Sequence, residues 1–140
     1  WTSNAGGFTA TQRDFPREVI AEFRAAGIRT SVFVGTDIAH IEGANLIGTD
    51  RIELYTEPYA DGYVEDREKA IAPFVAAAEK AEELGIGLNA GHDLSLENLK
   101  YFADHIPALL EVSIGHALIS DALYYGLENT VQMYLRLLND

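Results

Sequence analysis

Short apolar runs alternate with longer amphipathic segments along the chain. Four of these runs have the length and the β-branched or apolar composition of buried strands. They lie at residues 28–34, 51–56, 86–90 and 110–114. In the second run a charged residue, Glu53, stands between Ile52 and Leu54. Strands that are separated by helices predict parallel βαβ units, and therefore an α/β fold.

The segments between these runs have helical periodicity and recognisable ends. In residues 17–26 the apolar side chains fall on one stripe, with Asp14 as the expected N-cap and Gly27 after the last turn. A long Ala-rich helix is expected to end at Gly85, and Ser95 is expected to cap the helix after the third strand. The long Ala-rich helix spans residues 65–84, and the other predicted helical segments span residues 37–44, 120–125 and 127–138.

Two architectures accommodate four βα units: an open doubly wound sheet and half of a (β/α)8 barrel. A doubly wound nucleotide-binding sheet usually has a glycine-rich turn after its first strand, whereas residues 34–37 contain a single glycine. Polar residues instead follow the second, third and fourth strands, where barrel enzymes hold their chemistry. The pattern favours a single half-barrel domain over residues 1–140.

Composition narrows the possible partners. The formal net charge is −12, from 22 acidic and 10 basic residues. Such a surface repels nucleic acid and anionic membranes, so we expect neither as a partner. No apolar run approaches the length of a membrane span, and the absence of cysteine fits a cytoplasmic protein.

Two neighbouring strands end in the same dipeptide. The third strand runs into Gly91 and His92, and the fourth runs into Gly115 and His116. Parallel strands that are neighbours place their C-terminal ends on one rim, so both pairs are expected there. Glycine lets a ligand approach the backbone, a helix N-terminus offers amide groups, and histidine titrates near neutral pH. The pattern predicts a phosphate site built from backbone amides; a structural role for each histidine is the alternative.

Other residues bear on this site less directly. Period-two alternation turns the Glu53 carboxylate into the barrel interior, where it needs a partner or a ligand, or else acts as a structural carboxylate. Tyr59 is expected in a loop that shapes the rim, and residues 2–7 form a small polar loop suited to an anion. His40 and His105 are expected on the surface or at helix ends. The acidic residues are too scattered to predict a metal site.

The motifs around these residues resemble one known family in chain order. Residues 89–92 and 114–117 resemble the last two strands of pyridoxine 5′-phosphate synthase, and residues 53–60 resemble its sixth strand. Residues 28–34 resemble its fifth strand, and residues 2–7 resemble the loop after its fourth. The resemblance covers essentially the whole chain. It implies strands five to eight of a (β/α)8 TIM barrel, with their helices.

The resemblance also implies an activity. The family is a transferase of vitamin B6 biosynthesis, which condenses 1-deoxy-D-xylulose 5-phosphate with 3-amino-2-oxopropyl phosphate to give pyridoxine 5′-phosphate and phosphate. By the same resemblance, His92 is the proton donor and Glu53 stabilises charge in the transition state. Gly115 and His116 bind the aminoketone phosphate. We predict no cofactor and no metal.

Two further assignments follow from the resemblance. Thr2 or Ser3 corresponds to a threonine that binds the deoxyxylulose phosphate. Asp93 stands where the family can have a glycine whose backbone contacts the aminoketone substrate. A carboxylate at this position is unfavourable beside phosphate unless it points away, so the backbone of Asp93 is the expected contact.

The number of strands limits what this chain does alone. The family barrel has eight strands, and the resemblance places a further catalytic His and Glu on the second and third, which are absent here. We therefore expect a C-terminal half that is inactive without its N-terminal half and that forms a homo-oligomer binding small phosphorylated substrates. The alternatives are another phosphate-binding TIM-barrel enzyme and a non-catalytic half-barrel that self-associates.

Overall fold

The computed structural model describes residues 14–139, which form six helices and one parallel sheet of four strands. The elements are, in order, α1 (Asp14–Ala25), β1 (Ser31–Val34), α2 (Ile38–Ile47), β2 (Arg51–Tyr55), α3 (Glu57–Glu83), β3 (Gly87–His92), α4 (Leu99–His105), β4 (Leu109–Ile114), α5 (His116–Tyr125) and α6 (Leu127–Asn139). Each strand pairs in parallel with the next along the chain. This confirms the predicted α/β fold, half of a (β/α)8 barrel.

The two faces of the sheet differ in chemistry. On β2, Ile52 and Leu54 are fully buried beneath the helices, whereas Glu53 points to the other face. The alternation follows from the period of two in a strand. We call the other side the open face; strand register and contacts assign to it Phe33, Arg51, Glu53, Tyr55, Asn89, Glu111 and Ser113. The predicted orientation of Glu53 is therefore confirmed.

Aromatic side chains join α3 to α4 in the core. Tyr59, Phe74 and Phe102 are buried and meet edge to face, with ring centroids 5.0–5.9 Å apart. The Tyr59 hydroxyl donates a hydrogen bond to the carbonyl oxygen of Asn98 at 2.7 Å, and burial raises the pKa of Tyr59. The prediction that Tyr59 lies in a rim loop is wrong, because α3 already starts at Glu57 and turns this residue inward.

The starts of α1, α3 and α4 differ from the predictions. Helix α3 begins eight residues before the predicted start at 65, with Pro58 in its first turn, and its backbone is non-helical at Asp66. Asp14 is not an N-cap, since it already lies within α1. Ser95 is not the N-cap of α4 either; that position belongs to Asn98, whose side chain accepts a hydrogen bond from the Ser95 amide at 2.8 Å.

A polar network fills the open face near the N-terminal ends of the strands. Arg51 donates hydrogen bonds to Glu111 at 2.6 Å and to the side-chain oxygen of Asn89 at 3.0 Å. The amide nitrogen of Asn89 donates to Glu111 at 3.1 Å, and Arg29 reaches the same carboxylate at 3.3 Å. Because these groups satisfy one another, the space for a ligand lies one layer further along the strands, at Glu53.

The outer strands of the described sheet, β1 and β4, each pair on one side. Large apolar side chains are exposed beside both. Phe15 and Phe23 lie on α1, which precedes β1, and Leu110, Leu123 and Tyr124 lie on β4 and α5. Unpaired strand edges flanked by exposed apolar side chains are typical of a surface that another part of a protein covers.

A membrane-crossing role for these helices is not supported. Within residues 14–139, each helix is too short or too polar to cross a bilayer.

We predict that the chain self-associates when it is produced alone, because contact between copies buries the β4 edge and the apolar side chains of α5. Static light scattering is expected to give a mass of at least twice 15.3 kDa. Leu123→Lys is expected to shift the population towards monomer. Val64→Lys is the matched control, since Val64 is equally exposed (85% against 83% for Leu123) but lies on α3. A stable, well-folded monomer of the unaltered chain would contradict this prediction.

Candidate active site at the C-terminal ends of the strands

The two Gly-His tips lie on the same edge of the sheet. His92, the last residue of β3, pairs with Ile114, the last residue of β4, and Gly115 and His116 follow directly. The His92 side chain is 63% exposed, and His116 is also exposed. Both imidazoles are therefore open to a ligand at the edge where the sequence placed them.

Glu53 lies next to His92. The Oε1 atom of Glu53 is 3.3 Å from Nδ1 of His92, and the Glu53 side chain is only 17% exposed. This distance permits an ion pair, but the angles do not make a hydrogen bond, and Oε1 is buried without a hydrogen-bond donor in the described part of the chain. A buried carboxylate oxygen needs a compensating charge or donor. A protonated His92 or a donor group on a ligand meets that need.

Gly91 leaves room for this arrangement. A Cβ atom at position 91 would overlap the carbonyl oxygen of Ser113 and lie 3.2 Å from Oε1 of Glu53. The absence of a side chain therefore lets β3 and β4 pair closely while the Glu53 carboxylate occupies the adjacent space. Glycine is required here for close approach, since the overlap arises from packing and β3 continues through this residue.

Two aromatic residues complete the open face around His92. The ring of Phe33 meets the rings of Tyr55 and His92 edge to face, each with centroids 5.5 Å apart. The Tyr55 hydroxyl donates a hydrogen bond to the Glu57 carboxylate, and this bond is the main reason that the pKa of Tyr55 rises to about 12. The sequence reasoning missed Phe33, although the alternation within β1 and its register with Glu53 carried the signal.

Asp93 is held by its backbone. Its amide donates to the hydroxyl oxygen of Thr56 at 3.0 Å, and its carbonyl oxygen accepts from the side chain of Asn98 at 3.3 Å. The Asp93 side chain is exposed, and its negative charge contributes to the raised pKa of Tyr55. The expected backbone contact to substrate thus competes with two internal hydrogen bonds, and a binding role for Asp93 stays a prediction.

The N-terminus of α5 opens onto the same edge. This helix begins at His116, four residues before the predicted start at 120, so Gly115 occupies the N-cap position. Among residues 14–139, no atom outside Gly115 and its two chain neighbours lies within 4 Å of where a Gly115 Cβ would be. The first turn of a helix presents backbone amides and a partial positive charge, which suits an anion. The roles predicted for Gly115 and His116 stay predictions.

The remaining predicted residues lie elsewhere. Thr2 and Ser3, with the loop at 2–7, fall outside the described residues. His40 lies within α2, and His105 ends α4, with its ring 2.7 Å from the carbonyl oxygen of Tyr101. Between residues 14 and 139, no group of three or more His, Asp or Glu side chains is placed to hold a metal ion.

The fold and the position of the site define the class of architecture: a (β/α)8-type half-barrel whose polar side chains gather at the C-terminal ends of its strands. The family described as "Pyridoxal phosphate biosynthesis protein PdxJ" matches residues 1–140, and the chain belongs to that family.

Curated relatives support this assignment. The chain is 61% identical over 138 residues to a protein of Parabacteroides distasonis, and the match covers 99% of this chain and 58% of the relative. It is 64% identical over 133 residues to a protein of Bacteroides fragilis, with 95% of this chain and 56% of the relative covered. It is 58% identical over 135 residues to a protein of Cytophaga hutchinsonii, with 96% of this chain and 57% of the relative covered. All three are named pyridoxine 5′-phosphate synthase. The chain thus spans little more than half the length of these relatives.

A solved structure matches the fold alone. The Amycolatopsis orientalis BexX/CysO complex contains a chain that superposes with a TM-score of 0.52 at 21% sequence identity. The match covers 90% of this chain and 49% of the other. It supports the half-barrel architecture.

We predict that Gly91→Ala destabilises a family-length protein that contains this chain, because the new methyl group collides with the backbone of β4. Overpacking of this kind typically costs about 1–3 kcal/mol. Gly115→Ala is the matched control, since open space surrounds that position and its φ of −107° is negative. Urea unfolding measures the free energy of unfolding of both variants. A Gly91→Ala protein as stable as the unaltered one would show that β3 and β4 are not in the contact described.

Proposed function

We propose that the protein of which this chain forms a part is a pyridoxine 5′-phosphate synthase. It would condense 1-deoxy-D-xylulose 5-phosphate with 3-amino-2-oxopropyl phosphate, releasing phosphate and water. Family membership and the names of the relatives support the activity. The observation that carries the proposal is the contact between Glu53 and His92, 3.3 Å apart on the edge where α5 begins.

His92 is the proton donor in this proposal. Its Nδ1 atom faces Glu53, which leaves Nε2 as the nitrogen that reaches a ligand at the mouth of the barrel. The Glu53 carboxylate places a negative charge beside the ring, where it can pair with a protonated imidazole. The condensation requires imine formation, enolisation, phosphate elimination and ring closure, and each of these steps moves protons. In this proposal Glu53 additionally stabilises charge that develops on the substrate in the transition state.

Gly115 and His116 bind the aminoketone phosphate in this proposal. The amides and the positive end of α5 attract an anion without a lysine or arginine, which is how a chain of net charge −12 accommodates phosphate. The carboxylate of Asp93 acts on Tyr55 of β2, whereas Gly115 follows β4 on the other side of β3. The Asp93 side chain is exposed, so its carboxylate can turn to solvent and away from a phosphate at Gly115.

The chain needs further residues to complete the reaction. It spans 56–58% of the length of its relatives, and the described sheet has four strands with unpaired outer edges. We propose that the rest of the barrel covers these edges and supplies the second His and Glu that the resemblance implies. The chain alone is then inactive, and the complete protein is a homo-oligomer in which Thr2 or Ser3 contacts the deoxyxylulose phosphate.

We predict that His92→Ala in the family-length protein lowers kcat by about 10²–10⁴-fold, the range that general acid catalysis contributes. The assay follows pyridoxine 5′-phosphate formed from the two substrates. Glu53→Gln, which keeps the shape of the side chain but removes its charge, is also expected to lower kcat. His105→Ala is the matched control, because His105 is exposed at the end of α4 and contacts Tyr101.

The outcomes separate the parts of the proposal. A family-length protein that forms no pyridoxine 5′-phosphate would contradict the substrate assignment and favour another phosphate-binding barrel enzyme. Full activity of His92→Ala would contradict the proton-donor role but would not affect the assignment of the substrates. Activity of the isolated chain would contradict the need for the rest of the barrel.

A further inference from the structure

Thr56 links the strand that carries Glu53 to the tip that carries His92. It follows β2 directly, is fully buried, and occupies the N-cap position of α3. A threonine at an N-cap usually bonds an amide of its own helix through the hydroxyl oxygen. The Thr56 side chain makes no such bond. Its hydroxyl oxygen instead accepts a hydrogen bond from the amide of Asp93 at 3.0 Å.

The backbone of Thr56 makes a second contact to the same tip. Its amide donates to the carbonyl oxygen of Gly91 at 3.1 Å, which continues the β2–β3 pairing past the end of β2. One residue therefore holds the chain on both sides of His92. Because Thr56 follows the end of β2 directly and is three residues from Glu53, these two bonds fix His92 relative to the Glu53 carboxylate.

The His92 ring depends on this backbone anchoring. Its side chain is 63% exposed, and the ring contacts that the structure records are the edge-to-face contact with Phe33 and the 3.3 Å approach to Glu53. Neither contact is a hydrogen bond that orients the imidazole by itself. A small rotation of the tip would move Nδ1 away from the carboxylate and Nε2 away from a bound ligand.

We propose that Thr56 is a positioning residue, whose hydroxyl holds the His92 tip in the geometry that proton donation requires. The proposal rests on the function proposed above, since it assigns Thr56 a part in the same site. Thr56 touches neither substrate nor the reacting atoms and acts through His92. Removal of the hydroxyl takes away the acceptor of this partly buried hydrogen bond, and the tip must shift for the Asp93 amide to find another acceptor.

The test compares three variants of the family-length protein. Thr56→Val keeps the shape of the side chain and removes the acceptor, whereas Thr56→Ser keeps the acceptor. Thr130→Val is the matched control, because Thr130 is also fully buried, but its hydroxyl donates to the carbonyl oxygen of Gly126, just before α6. We expect Thr56→Val to lower kcat by about 10²-fold, the effect of a displacement of about 1 Å at a catalytic group. KM should change little, Thr56→Ser should restore most of the turnover, and Thr130→Val should keep it.

A second readout is independent of turnover. The ¹⁵N chemical shifts of the His92 imidazole report the surroundings of Nδ1. They are expected to move in Thr56→Val in the same direction as in Glu53→Gln, and to stay unchanged in Thr130→Val. If Thr56→Val does not fold, Thr56→Ala carries both measurements, because it also removes the hydroxyl but places no methyl group where the hydroxyl was.

The two readouts distinguish this proposal from the activity on which it rests. An unaltered protein that makes no pyridoxine 5′-phosphate contradicts the activity, and the imidazole shifts still decide whether Thr56 holds His92. Unchanged shifts in Thr56→Val, or unchanged kcat in an active protein, would overturn the positioning role. Equal losses in Thr56→Val and Thr130→Val would show a general effect of removing a buried hydroxyl, which also overturns it.

Discussion

Hydrogen bonding between β2 and β3 continues to the very ends of both strands, and the candidate site depends on it. Through this pairing Tyr55 lies beside Gly91, and the amide of Thr56 still reaches the Gly91 carbonyl oxygen. Glu53 is thereby placed beneath the imidazole of His92. A slip of one residue would turn Glu53 towards the helices and bring buried apolar side chains to the open face. The burial that stabilises the sheet therefore also determines the geometry of the site.

Local patterns were sufficient for the strands and for the orientation of Glu53, since alternation within β2 is a property of the chain itself. They also placed His92 and His116 on one edge, because consecutive parallel strands end together. Features that depend on other elements were missed. Tyr59 was expected in a rim loop, but α3 starts earlier than its periodicity indicates, because tertiary packing sets that start. The hydroxyl of Thr56 likewise bonds the loop after β3 and not its own helix.

The described residues form a half-barrel whose sheet has one open face. The network around Arg51 and Glu111 fills the open face at the N-terminal ends of the strands. The space for a ligand therefore lies at the C-terminal ends. There the backbone of α5 supplies the positive potential that an acidic chain lacks in its side chains. The outer strands of the described sheet have an unpaired edge, and α5 exposes apolar residues. These uncovered surfaces agree with a chain that spans just over half the length of its relatives.

The most direct test is a crystal structure of the family-length protein with bound pyridoxine 5′-phosphate. The account predicts the phosphate at the first turn of α5, bonded to the amides of Gly115 and His116. It also predicts the pyridine ring within hydrogen-bonding reach of His92 and Glu53. A ligand bound away from these residues, or a Glu53 carboxylate turned from both the ligand and His92, would contradict it.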